Sequence, residues 1–164
     1  MTNAQLAKRL VREFAADGVT VSTAESCTGG LIAKLITDVP GSSAVLMGGC
    51  VSYTNEIKMS VLGVDPAIIA RDTEVSHACA AAMAEGAREK FGTTLAVSTT
   101  GFAGPGGGTE ADPVGTVYLA VAAPNGTHTE RFSAPAGATR CGVRNAAARR
   151  ALELLIEAKV ANKL

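Results

Sequence analysis

The sequence predicts an α/β fold, a single three-layer α/β/α domain with a mixed sheet. Helical and β-rich segments alternate along residues 4–100, the pattern of strand–helix–strand crossovers. Two further β-rich runs separated by a turn follow, and these require antiparallel neighbours in the same sheet. With 47% apolar, 18% charged and 4% aromatic residues and 18 glycines, the composition is that of an Ala/Val/Leu-packed α/β chain, neither disordered nor disulfide-built. A chain of 164 residues suits one domain whose core needs neither disulfides nor metal.

The elements follow in order. Leu6, Leu10, Val11 and Phe14 share one helical face, which predicts a helix over residues 4–16 ending near Gly18. The β-branched run "VTVSTAES" reads as a strand. A short helix over 29–37 is stopped by Pro40 and Gly41. "SAVLMGGCVSYT" predicts a strand bent at Gly48-Gly49, and "NEIKMSVLGV" a helix of two or three turns. A brief helix is expected at 66–71. "SHACAAAMAEGAREKFG" is a longer one, capped by Ser76 and ended by Gly92. "TLAVSTT" is a strand running into the glycine loop "GFAGPGGG". Residues 115–134 read as a hairpin turning at Asn125-Gly126. A last helix spans 139 to about 160, with Val143, Ala147, Leu154, Leu155 and Ala158 on one apolar face.

Fifteen basic and fifteen acidic side chains cancel, so no global field draws nucleic acid or an anionic membrane. No apolar run reaches the ~18 residues of a membrane span. The amphipathic start lacks a signal-peptide core, which points to the cytoplasm. Cys27, Cys50, Cys79 and Cys141 form no CxxC pair, so free thiols are expected and neither a metal nor a cofactor is. The largely apolar composition and short exposed elements fit a homodimer or larger assembly.

The segment "STAESCTGG" crowds reactive groups where a strand gives way to a helix, the end at which α/β folds collect ligands. Ser26 there is a candidate nucleophile. Thr28, Gly29 and Gly30 are candidate donors to an oxyanion or phosphate, since the first N–H groups of a helix lack internal partners. The competing reading is that Ser26 or Thr28 only caps the helix. No GxSxG elbow is present. Of the two histidines, His128 follows a turn and His77 opens a helix, so neither is placed as a base. A buried neutral lysine can serve instead. Lys58, just after an apolar strand and near Tyr53 and Asn55, is the candidate, against the plainer reading of a solvated helix charge.

The glycine loop is neither a Walker A motif nor a dinucleotide fingerprint. Its glycines, Gly101 and Gly104 among them, let backbone N–H groups approach a ligand or simply build a long turn. Arg140 and Arg144, four apart on one helical face near an N-terminus, oppose the helix dipole unless an anion joins them. Solvation, or pairing with acidic neighbours, is the alternative.

Four stretches, "TAESCTGG", "GGCVSYTNEIK", "VSTTGFAGPGGGTEADPVGTVY" and "RCGVRNAAARRALELL", occur in the order and spacing of one family. Over about residues 4–160 the chain resembles the CinA C-terminal domain family in its stand-alone form. The resemblance implies hydrolysis of the carboxamide of nicotinamide mononucleotide by a serine/lysine pair without metal. It places the family's serine on Ser26, its lysine on Lys58, its tyrosine on Tyr53 and its arginine on Arg140. It implies a small nucleotide as partner. A non-catalytic nucleotide-binding module, or an amidase for another small amide, are the alternatives. The chain departs from the family pattern in reading "ATR" for the usual GDR, "TEVS" for the usual GAVS, and Phe102 for a smaller aliphatic residue.

Overall fold

A computed structural model describes residues Met1–Leu164. Helix α1 (Asn3–Ala16) opens with a capping box: Thr2 Oγ1 accepts from the Gln5 N–H, and the Gln5 side chain accepts from the Thr2 N–H. Then come β1 (Val21–Glu25), α2 (Leu31–Thr37), β2 (Leu46–Val51), α3 (Asn55–Leu62), α4 (Pro66–Asp72) and α5 (His77–Phe91). Strand β3 (Leu95–Gly101), the pair β4 (Thr116–Ala123) and β5 (Gly126–Ser133), and α6 (Arg140–Ala161) complete the chain.

The sheet has the order β2-β1-β3-β4-β5, with β1 parallel to both β2 and β3, and β4 antiparallel to β3 and β5. It is the expected mixed sheet. Helices α1, α2 and α6 cover one face; α5, backed by α3 and α4, covers the other. The central strands β1, β3 and β4 are therefore buried almost throughout, whereas edge strands β2 and β5 carry only half-buried and exposed positions. The chain leaves β1 for β2 on one side and returns to β3 on the other. The carboxyl ends of β1 and β3 thus flank a topological switch point, where such sheets hold ligands.

Ser76 Oγ accepts from the Cys79 N–H and Gly92 (φ 61°) closes α5, as its sequence predicts. Mid-helix Gly86 has a packing reason: a Cβ there would run into the Leu62 carbonyl at the end of α3. That close approach seats α3, and the lysine it carries, against α5.

Two local expectations shift. The hairpin turns at Pro124-Asn125, with Ala123 paired to Gly126. Proline fixes a negative φ at the first turn position, which excludes the turn type that Asn-Gly would have formed there. The irregularity in β2 falls one residue before the glycine pair: Val21 pairs with Leu46 and Ser22 with Gly48, so Met47 is the extra residue.

Candidate active site

Ser26 directly follows β1, and its N–H donates to the Thr99 carbonyl of β3 at 2.9 Å. On the other side, the Ser52 N–H donates to the Glu25 carbonyl at 2.9 Å, which carries the β2 chain alongside the loop before it turns into α3. Thr54 caps α3 by accepting from the Ile57 N–H. Lys58 and Leu62, four apart on α3, both point inward. The result is a buried amine, Lys58 at 1% exposure, whose Nζ donates to Ser26 Oγ at 3.2 Å. No carboxylate lies within ion-pair distance of that Nζ. Burial pushes the Lys58 pKa below its ordinary value and outweighs the opposing influence of Cys79, Glu74 and Cys27. An uncharged amine at this spot can reverse the bond and accept the serine proton.

The neighbouring thiol is a poor competitor. Burial raises the Cys27 pKa to about 11, so the thiol stays protonated at neutral pH.

Glu25 does what sequence reading did not foresee. Its side chain is 1% exposed and turns onto the N-terminus of α2. The carboxylate accepts from the N–H groups of Gly30 (3.0 Å), Ile32 (3.0 Å) and Ala33 (2.9 Å) and from the Thr28 hydroxyl (2.7 Å). Thr28 in turn shares a 2.7 Å hydrogen bond with Thr99. The helix end thus already holds its anion, supplied by the protein. Gly30, the N-cap, reaches this geometry at φ 92°, which only glycine adopts without strain. The Gly29 N–H donates to the Ser26 carbonyl at 3.0 Å. The expectation that Thr28, Gly29 and Gly30 donate to a ligand is therefore corrected for the Thr28 hydroxyl and the Gly29 and Gly30 N–H groups, which are occupied within the chain. The Cys27 and Thr28 N–H groups, by contrast, donate to no carbonyl.

Glu25→Ala should lower stability by about 3–5 kcal/mol, because it strands several buried donors of a helix end at once. In a chain of this size that is roughly a 6–20 °C fall in melting temperature, readable by circular dichroism. Glu25→Gln should fall between that variant and the parent. A loss under about 1 kcal/mol in the alanine variant would refute the capping role.

The two arginines divide. Arg140 donates from Nη1 to the Gly104 carbonyl at 2.7 Å and from Nη2 to the Tyr53 hydroxyl at 2.9 Å. Arg144 donates from Nη2 to the Thr28 carbonyl at 2.9 Å, clamping α6 to the serine loop. Arg144 is thus a brace for the loop and not a wall of the cleft. Tyr53 is likewise tied to Arg140 and makes no hydrogen bond to Lys58. Gly104 contributes its carbonyl, which orients Arg140, in place of an N–H.

A cleft of about 330 Å³ opens at the switch point and brings together Ser26, Lys58, Tyr53, Asn55, Gly101 and Arg140. Its remaining walls include Glu74, Val75 and Phe102, which sequence reading did not assign to the site. The Thr100 hydroxyl donates to the Glu74 carbonyl at 2.6 Å, and this pins the segment before α5 against the end of β3. His77 and His128 are exposed, and neither lines this cleft.

No helix is long and apolar enough to cross a membrane. The model of the CinA C-terminal domain matches residues 3–159. A CinA-like protein of Myxococcus xanthus is 53% identical over 139 residues, covering 84% of this chain and 32% of that protein. One from Synechocystis is 50% identical over 125 residues, covering 76% of this chain and 29% of that protein. The chain spans about a third of the length of the curated relatives it matches. Among solved structures, the competence/damage inducible protein CihA from Agrobacterium tumefaciens superposes with a TM-score of 0.92 at 43% identity, covering 96% of this chain and 95% of that one. The competence damage-inducible protein A (ComA) from Klebsiella pneumoniae gives a TM-score of 0.92 at 34% identity, with 98% of each chain covered. The chain belongs to the CinA C-terminal domain family.

Proposed function

We propose that the protein is an amidohydrolase that converts nicotinamide mononucleotide and water to nicotinic acid mononucleotide and ammonia. The observation that carries this reading is the 3.2 Å contact between a buried amine and a buried serine hydroxyl, with no carboxylate within ion-pair distance of the amine. Ser26 Oγ attacks the carboxamide carbon while Lys58 Nζ takes its proton. The proton passes to the amide nitrogen as the carbon–nitrogen bond breaks, and ammonia leaves. Water then loses a proton to the same amine, attacks the acyl ester and frees the acid and the serine. The Cys27 N–H, which donates to no carbonyl of the chain, is the candidate donor to the oxyanion. Arg140, steadied by Gly104 and Tyr53, is the candidate partner of the phosphate. The cleft volume lies within the range of small-molecule sites.

Purified protein incubated with nicotinamide mononucleotide should release ammonia and the acid nucleotide in equal amounts. Free nicotinamide, which has no phosphate for Arg140, should be a much poorer substrate. Cys27→Ala should keep most of the activity. Binding of the nucleotide without ammonia release would identify a non-catalytic module. Faster release from another amide would reassign the substrate.

A further inference from the structure

The cleft carries two charged side chains with no ionic partner besides the lysine. One is Arg140. The other is the half-buried Glu74, which lines the cleft and whose charge acts on Lys58. No N–H or O–H of the chain donates to its carboxylate; the one hydrogen bond to this residue ends on its backbone carbonyl. A carboxylate left without a partner in a concave site is placed to meet a cation. Phe102 stands on the same wall. It is half-buried, lies two residues beyond Thr100, to which Glu74 is bonded, and lines the cleft with its ring. A carboxylate and an aromatic ring each favour a cationic planar ring as neighbour. Neither group helps a neutral amide.

We propose that Glu74 and Phe102 form the wall that receives a cationic aromatic ring, which makes Glu74 a specificity-determining residue for pyridinium amides over uncharged ones. With Arg140 in the same cleft, the site is matched to a zwitterion, positive at the ring and negative at the phosphate. The inference rests on the amidase reading for the nature of the occupant. It is separable from that reading because it concerns binding.

The test uses Ser26→Ala protein, which holds ligand without turnover, and two ligands of the same shape: nicotinamide mononucleotide and its dihydro form, whose ring is uncharged. Calorimetry should give about 10-fold tighter binding of the cationic ligand. Adding Glu74→Gln should reduce that preference to about 2-fold or less by weakening only the cationic ligand. Phe102→Leu, which removes the ring and keeps the charge, should reduce the preference about 3-fold. An unchanged preference in Glu74→Gln, an equal loss for both ligands, or no binding of either would overturn the proposal. An equal loss would mean that Glu74 acts on the ribose or only through Lys58. Absence of ammonia release by the parent protein would sink the amidase reading and leave this binding comparison standing.

Discussion

Lys58→Met is expected to lower turnover by about 10²–10⁴-fold while making the protein more stable. Methionine keeps the length and apolar stem of the side chain and deletes the amine. The proton acceptor for Ser26 is lost, so the effect should fall on kcat, with KM little changed. Stability should move the other way, because the folded protein holds an amine out of water with one hydroxyl for company. The folded-state pKa of Lys58 is lowered, so below the free-amine value of 10.5 the unfolded chain binds the extra proton. The cost of burying the amine is therefore largest at low pH and fades as pH rises toward that value. The melting temperature of the methionine variant should exceed the parent's by roughly 2–8 °C at neutral pH, and by less in alkali. The same sign governs catalysis. The parent's turnover should fall as pH drops through the lowered Lys58 pKa, because the protonated amine cannot accept. A variant that is inactive and also strongly destabilised would mean that Lys58 serves the fold.

Ser26→Ala is expected to be at least as damaging to turnover and nearly silent in stability. The change removes one oxygen. The loop is held by other groups: the Ser26 N–H on Thr99, the Glu25 cap on α2 and the Arg144 brace on Thr28. Turnover should drop by about 10³-fold or more, leaving whatever the oxyanion donor and the bound geometry supply. Ligand affinity should persist. Substantial turnover in this variant would transfer the chemistry to another group. Cys27 is adjacent, but its thiol is held protonated by burial.

What the sequence discloses and what it hides follow from the range of the interactions. Helix α5 is legible because a serine cap, an alanine-rich body and a glycine stop all act within a few residues of one another. The pairing of β1 with β3 is not, because Val21 and Leu95 are joined only by the folded sheet. The hairpin is visible, but its turn is displaced by the local rule that proline imposes on Pro124. In the site, the Ser26 and Lys58 candidates can be named from the sequence, while their 3.2 Å approach depends on α3 settling against α5 at Gly86. Glu25 lies in full view beside the serine. Its reach onto the helix that follows, and so its claim on the donors of Gly30, Ile32 and Ala33, needs the three-dimensional loop. Arg140 and Arg144 share a helical face, yet one meets Tyr53 and the other Thr28, because two different loops pack along that face. Glu74 carries no local signal. It enters the cleft through Thr100, which is remote in sequence.

Acid-quenching the protein during turnover of nicotinamide mononucleotide, followed by peptide mass spectrometry, addresses the nucleophile directly. The nicotinoyl nucleotide should be found esterified to Ser26, absent in Ser26→Ala and retained in Cys27→Ala. An adduct on Cys27, or full turnover with residue 26 replaced, would contradict the serine–lysine account.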